Sequence, residues 1–415
     1  MFTKCGDRRG LANALGLLTL CGTSYQSSST TPITRPAALE ELRTLRSVRL
    51  AREIGWRAGE AFLRFIIGDS LLGHGEYDRA IPLVREALAQ AEEIEHLEWT
   101  AGALRLLGAV SLDLLVPDAA RDDLEAAYKI ALRLGSRVWI RWTAAPLTLA
   151  RARMGDLPGA LDVWTSAARV AGEDRSLVSD SPGATARTLG ECQLWAARAE
   201  LALVEGRPEL ALEIVDARLE SERAANPDSA LGVPRLSLIR ADALTTLGRY
   251  DEAERTLDRA REEATAQEAH PLLWRIELAV GHVHRLQRRR LEARRAFDAA
   301  RALADELAAL VPDETLRARF VEKLGVAIPS TPAPTPARAA KEALGGLTRR
   351  ERDVAELVAQ GKANRAIGRD LGIGERTVEG YVASALAKLG FASRTQLAAW
   401  AVEKGLTRAP TAGRR

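Results

Sequence analysis

The chain is poor in cysteine and in aromatic residues, and few of its stretches alternate like strands. Its 415 residues hold three cysteines, Cys5, Cys21 and Cys192, with no Cys-x-x-Cys pair. An odd number without paired spacing supplies neither a disulfide framework nor a zinc pattern, so a reducing cytoplasmic setting is expected. His282 and His284 stand two apart. On a helix that spacing places them on different faces, and no cysteine or acidic partner completes a metal site, so no metal is expected. The phosphate-cradling Gly-x-x-x-x-Gly-Lys-(Ser/Thr) loop, the Gly-x-Ser-x-Gly elbow and the acidic strand–helix start of a phosphoacceptor domain are all missing. Neither an enzyme nor a cofactor is expected from such a sequence. Nor is there an apolar run long enough to span a bilayer. Lys4, Arg8 and Arg9 ahead of the run from Leu11 to Cys21 resemble a signal peptide. Asn13 interrupts that run and Leu20 is bulky for a cleavage site, so a helix of the folded chain is the better reading.

What the chain does have is helix formers. Ala, Leu, Arg and Glu dominate, hydrophobic residues make up 47% and charged ones 28%, and an all-α protein of more than one domain follows. The net charge of +3 conceals an asymmetry. From Arg338 onward 15 Lys/Arg face 8 Asp/Glu, a net of +7, which leaves −4 for the rest. A basic terminal module on a slightly acidic body points towards nucleic acid.

A turn recurs between amphipathic stretches, at 75–80, 115–120, 155–160, 206–211, 248–253 and 288–293. Each ends in alanine, and Ala80, Ala120, Ala160, Ala211, Ala253 and Ala293 are separated by 40, 40, 51, 42 and 40 residues. The physical logic is that of a helical hairpin. A glycine such as Gly75 or Gly248 closes helix A in a left-handed conformation. Asp78, Asp118 and Asp251, or Pro158 and Pro208, then open helix B. The alanine is small because two helices meet there. In the first clear unit helix A is expected over Leu50 to Leu72 and helix B over Asp78 to Ala91, with Ile81, Val84, Ala87, Leu88 and Ala91 on one face. The extra length in the 51-residue interval, around Gly172 to Gly183, reads as a loop. These units, over about residues 40 to 325, resemble tetratricopeptide repeats, and the resemblance implies an α-solenoid that binds a partner or ligand along its surface. Trp56, Trp99 and Trp139 are read as inter-helix packing, and the cluster Arg288, Arg289 and Arg290 as solvated surface.

Four prolines in the eight residues from Pro329 to Pro336 form an extended linker. Beyond it, Thr348 with Glu351 and Ser393 with Gln396 are capping boxes, Gly361 closes a first helix, and Gly372-Ile-Gly374 makes a tight connection between two more. Val354, Leu357, Val358, Ile367, Leu371, Ile373, Val378, Val382, Leu386, Leu389, Leu397 and Trp400 would build one small core. Arg376, Glu379, Gly380, Ala383 and Ala387 share the opposite face of the third helix.

Leu347-Thr-Arg-Arg-Glu351, Gly361-Lys-Ala-Asn-Arg-Ala-Ile367, Thr377-Val378, Lys388-Leu-Gly390 and Ser393-Arg394 resemble the motifs of the LuxR-type helix-turn-helix domain. The resemblance implies that Glu379, Gly380 and Ala383 reach base edges. It places Asn364, Arg365, Arg376, Thr377, Ser384, Lys388, Arg394 and Thr395 where the family contacts phosphates or positions the domain. It further implies double-stranded DNA as partner and a homodimer formed through the last helix. Glu379 stands where the family has a basic residue, Tyr381 where it has His, and Gly374 where it has a capping Ser or Thr. A glycine N-cap costs only a few tenths of a kcal/mol, and a carboxylate at Glu379 can accept from cytosine N4. Tyr381 is expected to be partly buried.

The expected organisation is a tetratricopeptide-like array over 1–325, a linker over 326–341, a four-helix LuxR-type domain over 342–407 and a basic tail over 408–415. Together they resemble the rear part of large ATP-binding LuxR-family regulators, with the chain starting inside the array and the ATPase missing, as in a shortened regulator or a fragment. The function expected is that of a dimeric, sequence-specific transcriptional regulator whose array senses an effector. The alternative is an interaction scaffold with a degenerate DNA-binding domain, suggested by the small neutral residues of the recognition face.

Overall fold

Every regular element in the computed structural model is an α-helix, among the described residues 6–20, 40–41, 43–170, 189–225, 232–329 and 344–406. None of these helices is long and apolar enough to cross a membrane. The proline segment, the stretch Gly172 to Gly183, Cys5, Cys21 and the tail fall outside the described residues. The chain divides into two compact units, Met1–Ser330 and Thr331–Arg415.

In the first unit α1 (Arg8–Leu20) packs on α2 (Arg46–Glu53) and α3 (Arg57–His74). The array continues through α4 (Tyr77–Glu93), α5 (Leu97–Asp113), α6 (Pro117–Leu134), α7 (Arg137–Arg153) and α8 (Leu157–Val170). It is completed by α9 (Leu189–Val204), α10 (Pro208–Ala225), α11 (Pro234–Thr246), α12 (Tyr250–Ala266), α13 (His270–Leu286), α14 (Arg290–Ala309) and α15 (Glu314–Ala327). The helices stack as antiparallel pairs in a tetratricopeptide-like solenoid, and the six turns fall where the alanine period puts them.

Gly75, Gly155, Gly206 and Gly248 adopt φ of 73° to 86° at the turns; Leu115 and Arg288 adopt the same left-handed conformation without being glycine, at 59° and 63°. A single left-handed residue reverses the chain, and for a non-glycine this costs about 1–2 kcal/mol, which the surrounding packing has to offset. The helix expected from Leu50 to Leu72 is instead broken at Ile54-Gly55-Trp56, where Gly55 has φ 70° and the Trp56 N–H donates to the Ala51 carbonyl at 2.9 Å. One reversal of the same kind splits the stretch into α2 and α3.

All six turn alanines are buried, five of them completely. Twelve residues earlier, on helix A, stand Gly68, Gly108, Thr148, Ala199, Ala241 and Gly281. A Cβ on Gly68 would come within 2.4 Å of Val84, on Gly108 within 2.5 Å of Leu124, and on Gly281 within 2.4 Å of Phe297. In these three pairs, the missing Cβ on helix A is therefore what lets the two helices approach.

The aromatics pack around Phe65, whose ring lies 6.1–6.4 Å from those of Trp99, Trp139 and Trp142. Trp56 lies half-buried under the Arg9 guanidinium at 4.4 Å. The array also closes on itself. Arg319 pairs with Asp118 at 2.6 Å and Arg85 with Asp313 at 3.2 Å. His270 Nδ1–H donates to the His74 carbonyl at 2.8 Å, and His74 Nδ1–H to that of Glu268 at 3.3 Å. One hydrophobic core thus includes both Ala12 and Ile328.

Candidate nucleic-acid interface

The second unit contains α16 (Arg349–Ala359), α17 (Asn364–Leu371), α18 (Glu375–Leu389) and α19 (Arg394–Glu403). Both capping boxes form: Thr348 accepts from the Glu351 N–H while Glu351 accepts from the Thr348 N–H, and Ser393 and Gln396 do the same. The core comprises Leu347, Val354, Val358, Ile367, Val378, Val382 and Leu397, buried, with Leu357, Leu371, Ile373, Tyr381, Leu386, Leu389 and Trp400 packed around them. Leu347, Ala355, Ala385 and Ala401 also belong to it, although their positions carried no periodic signal of their own.

Gly372, with φ 67°, turns the chain from α17 into α18. Gly368 in the middle of α17 makes the turn possible, because a Cβ there would lie 2.8 Å from the Ile373 carbonyl oxygen. The Ile373 N–H donates to Gly368 O at 2.9 Å, closing the corner. Sequence reasoning passed over Gly368; its only signal was a glycine inside a short helix.

α18 buries Val378, Val382 and Ala385 and leaves Arg376, Thr377, Glu379, Gly380, Ala383, Ala387 and Lys388 exposed. Among the described residues, nothing outside the helix's own backbone lies within 4 Å of a Cβ built on Gly380. Gly380→Ala should therefore stabilise this unit by about 1 kcal/mol, seen as a higher denaturation midpoint of its transition. An unchanged or lowered midpoint would show that the site constrains the helix in some other way.

The remaining candidate residues separate into two groups. Arg365, Arg376, Thr377 and Thr395 are exposed. Asn364, Ser384, Lys388 and Arg394 are instead tied to protein groups. Arg394 donates to Asn364 Oδ1 at 2.7 Å and to the Lys362 carbonyl at 2.6 Å, clamping the start of α19 to that of α17. Lys388 Nζ lies 2.5 and 2.7 Å from the two oxygens of Glu351, and Ser384 Oγ donates to one of them at 2.7 Å. Glu351 thus joins α16 to α18 while also capping α16. It is only 4% exposed. Burial pushes its carboxyl up, but hydrogen bonds from Lys388, Ser384 and Thr348 outweigh this and hold it at about 2. The capping box identified Glu351 in the sequence, but its reach to Lys388 depends on the fold.

Residues 346–401 match the family described as bacterial regulatory proteins, luxR family. The C-terminal domain is a LuxR-family helix-turn-helix domain. A putative HTH-type transcriptional regulator of Mycobacterium bovis, Mb0914c, is 32% identical over 212 residues, 50% of this chain and 22% of the relative. The DNA-binding transcriptional activator DevR/DosR of Mycobacterium tuberculosis is 40% identical over 73 residues, 18% of this chain and 34% of its own length. This chain therefore spans only 22% and 34% of these curated relatives. The structure of yeast Tom70 superposes on 76% of the chain and 64% of its own with a TM-score of 0.36 and 16% identity. Of the motif positions in this domain, Leu347, Ile367 and Val378 are buried in its core, Glu351, Asn364, Lys388 and Arg394 tie helices together, and Thr377 is exposed at the start of α18.

Proposed function

We propose that this protein is a sequence-specific transcriptional regulator that binds DNA as a dimer and whose helical array senses a small molecule or protein. The observation that carries the reading is a LuxR-family domain in which the outer face of α18 is uncovered. A major groove admits one such helix, with Glu379, Gly380 and Ala383 towards the base edges. Arg365, Arg376, Thr377 and Thr395 then meet phosphates, while Asn364, Ser384, Lys388 and Arg394 hold the helices in register. Small side chains at Gly380 and Ala383 let the backbone come close, so Glu379 is the one long side chain on the base-facing patch. Its carboxylate suits a cytosine N4 donor.

The test is selection of genomic fragments by the full chain, followed by affinity measurements across salt concentrations. A preferred fragment should emerge, with log affinity falling linearly in log salt. Arg376→Ala should weaken all fragments alike, and Glu379→Ala should relax preference at one base position. No preference over random DNA would sink the reading and leave the interaction scaffold.

Dimerisation is assigned to α19, whose outer side carries Thr395, Ala399 and Val402, with Val402 56% exposed. A charge on this face should abolish pairing. Val402→Arg is expected to sediment as a monomer and to lose at least about tenfold in affinity for a two-fold symmetric site. A dimer that persists in this variant would move the interface elsewhere.

A further inference from the structure

The first unit holds a partly open cavity of about 390 Å³, within the range of small-molecule sites. Its walls come from helices far apart in sequence, and most of them are apolar, with Leu115, Leu203, Leu238, Leu272 and Leu278 among the lining residues. Six charged side chains interrupt that wall: Asp113, Arg153, Glu200, Arg235, Asp242 and Arg275.

The pairing of those six is uneven. Glu200 on α9 accepts from Arg153 of α7 at 3.1 Å and from Arg235 of α11 at 2.7 Å. Arg275 of α13 donates to the carbonyl of Asp113 at 2.5 Å and lies 3.3 Å from its carboxylate. Arg153 also donates to the Leu112 carbonyl at 3.2 Å. Two carboxylates thus occupy three guanidiniums. The third carboxylate, that of Asp242 on α11, opens onto the cavity and makes no hydrogen bond or salt bridge among the described residues; the backbone carbonyl of Asp242 accepts from Thr246 Oγ at 2.9 Å.

Asp242 is exposed to this partly open pocket, so its carboxylate stands free to pair with a cation whose apolar part lies against the neighbouring wall. We propose that the cavity binds an organic amine, its ammonium group seated on Asp242 and its apolar body against the leucine-lined wall. This rests on the sensing role given to the array above. An anionic ligand is disfavoured because the arginines that would receive it already serve Glu200 and Asp113. A wholly apolar ligand would leave Asp242 as it is.

The state of Asp242 gives the proposal a signature. Desolvation by the surrounding pocket walls first, and then the neighbouring Glu200, push its carboxyl up to about 7, with Arg275 opposing. The groups facing it are Glu200 from α9, Arg275 and His282 from α13, Asp113 from α5, Arg153 from α7 and Arg235 from its own helix. His282 is held below its usual range by burial and by Arg285. A bound ammonium favours the ionised carboxylate. Affinity should therefore fall about tenfold between pH 8 and pH 6, over which an alkylamine keeps its charge.

The experiment uses the full chain and calorimetric titration with hexylamine, octylamine and tryptamine, each beside its matched alcohol and carboxylate. At least one amine should bind about tenfold or more tightly than both of its analogues, and Asp242→Asn should remove that advantage and the pH dependence. Because Asn is nearly isosteric and removes an unpaired charge, the variant should melt no lower than wild type, which separates lost binding from lost fold. The proposal is overturned if no amine outperforms its analogues, if carboxylates bind best, or if Asp242→Asn binds amines as wild type does. The best amine is then added to the DNA-binding assay. Amine binding through Asp242 without any change in DNA affinity would refute sensing and leave the site standing. A DNA response to some other ligand, with no amine binding, would do the reverse.

Discussion

Replacing Asp69 with leucine should destabilise the helical array by about 3–5 kcal/mol, read from chemical denaturation of the first unit's transition. Arg105 is completely buried, and its guanidinium lies 3.7 Å from the Asp69 carboxylate and 4.4 Å over the ring of Trp142. Burial pushes this guanidinium below its usual range, and Asp69 is the charge that opposes the shift. Removing the aspartate leaves a cation in the core with only an aromatic face for company, and water cannot reach it. The double variant Asp69→Leu, Arg105→Met should recover most of the loss, because two apolar side chains of similar volume dispense with the desolvation of both ions. Should the single variant cost less than about 1 kcal/mol, or the double variant be worse than the single, the pair would not be the origin of the effect.

The second large effect belongs to the terminal domain. Glu351→Gln should lower its stability by about 2–3 kcal/mol at pH 7, because one substitution weakens the α16 cap and the link to Ser384 and Lys388 together. A domain this small has little stability to spare, so DNA binding should fail at temperatures the wild type tolerates. The sign of the pH dependence is fixed by the shift. The folded carboxyl titrates at about 2, below its ordinary 4.5, so its contribution is complete above 4.5 and disappears as pH falls through 2. The difference between wild type and variant should accordingly shrink as pH is lowered from 5 towards 2. A difference that stays constant with pH would locate the effect in the cap geometry rather than in the carboxylate charge.

Much of this protein is determined by sequence alone, and for local reasons. Capping boxes, glycine corners and helix-period apolar positions act over a few residues, so the four helices of the terminal domain, its core and the open face of α18 are legible without coordinates. The same holds for the turns of the array, where an alanine returns about every 40 residues because every helix pair meets the same close contact. Three features required the tertiary structure. The reversal at Gly55 lies inside a stretch of helix formers with no proline, so periodicity reads through it. The partnership of Glu351 with Lys388 spans 37 residues, and only the packing of α16 on α18 decides that Lys388 is held there. The closure that brings Arg319 to Asp118, 201 residues apart, arises from the summed rotation of all the helix pairs, which no single repeat encodes. The tertiary structure likewise decides which charges of the cavity are paired, because Arg153, Glu200, Arg235 and Arg275 meet there from different helices while the carboxylate of Asp242 has no partner among the described residues.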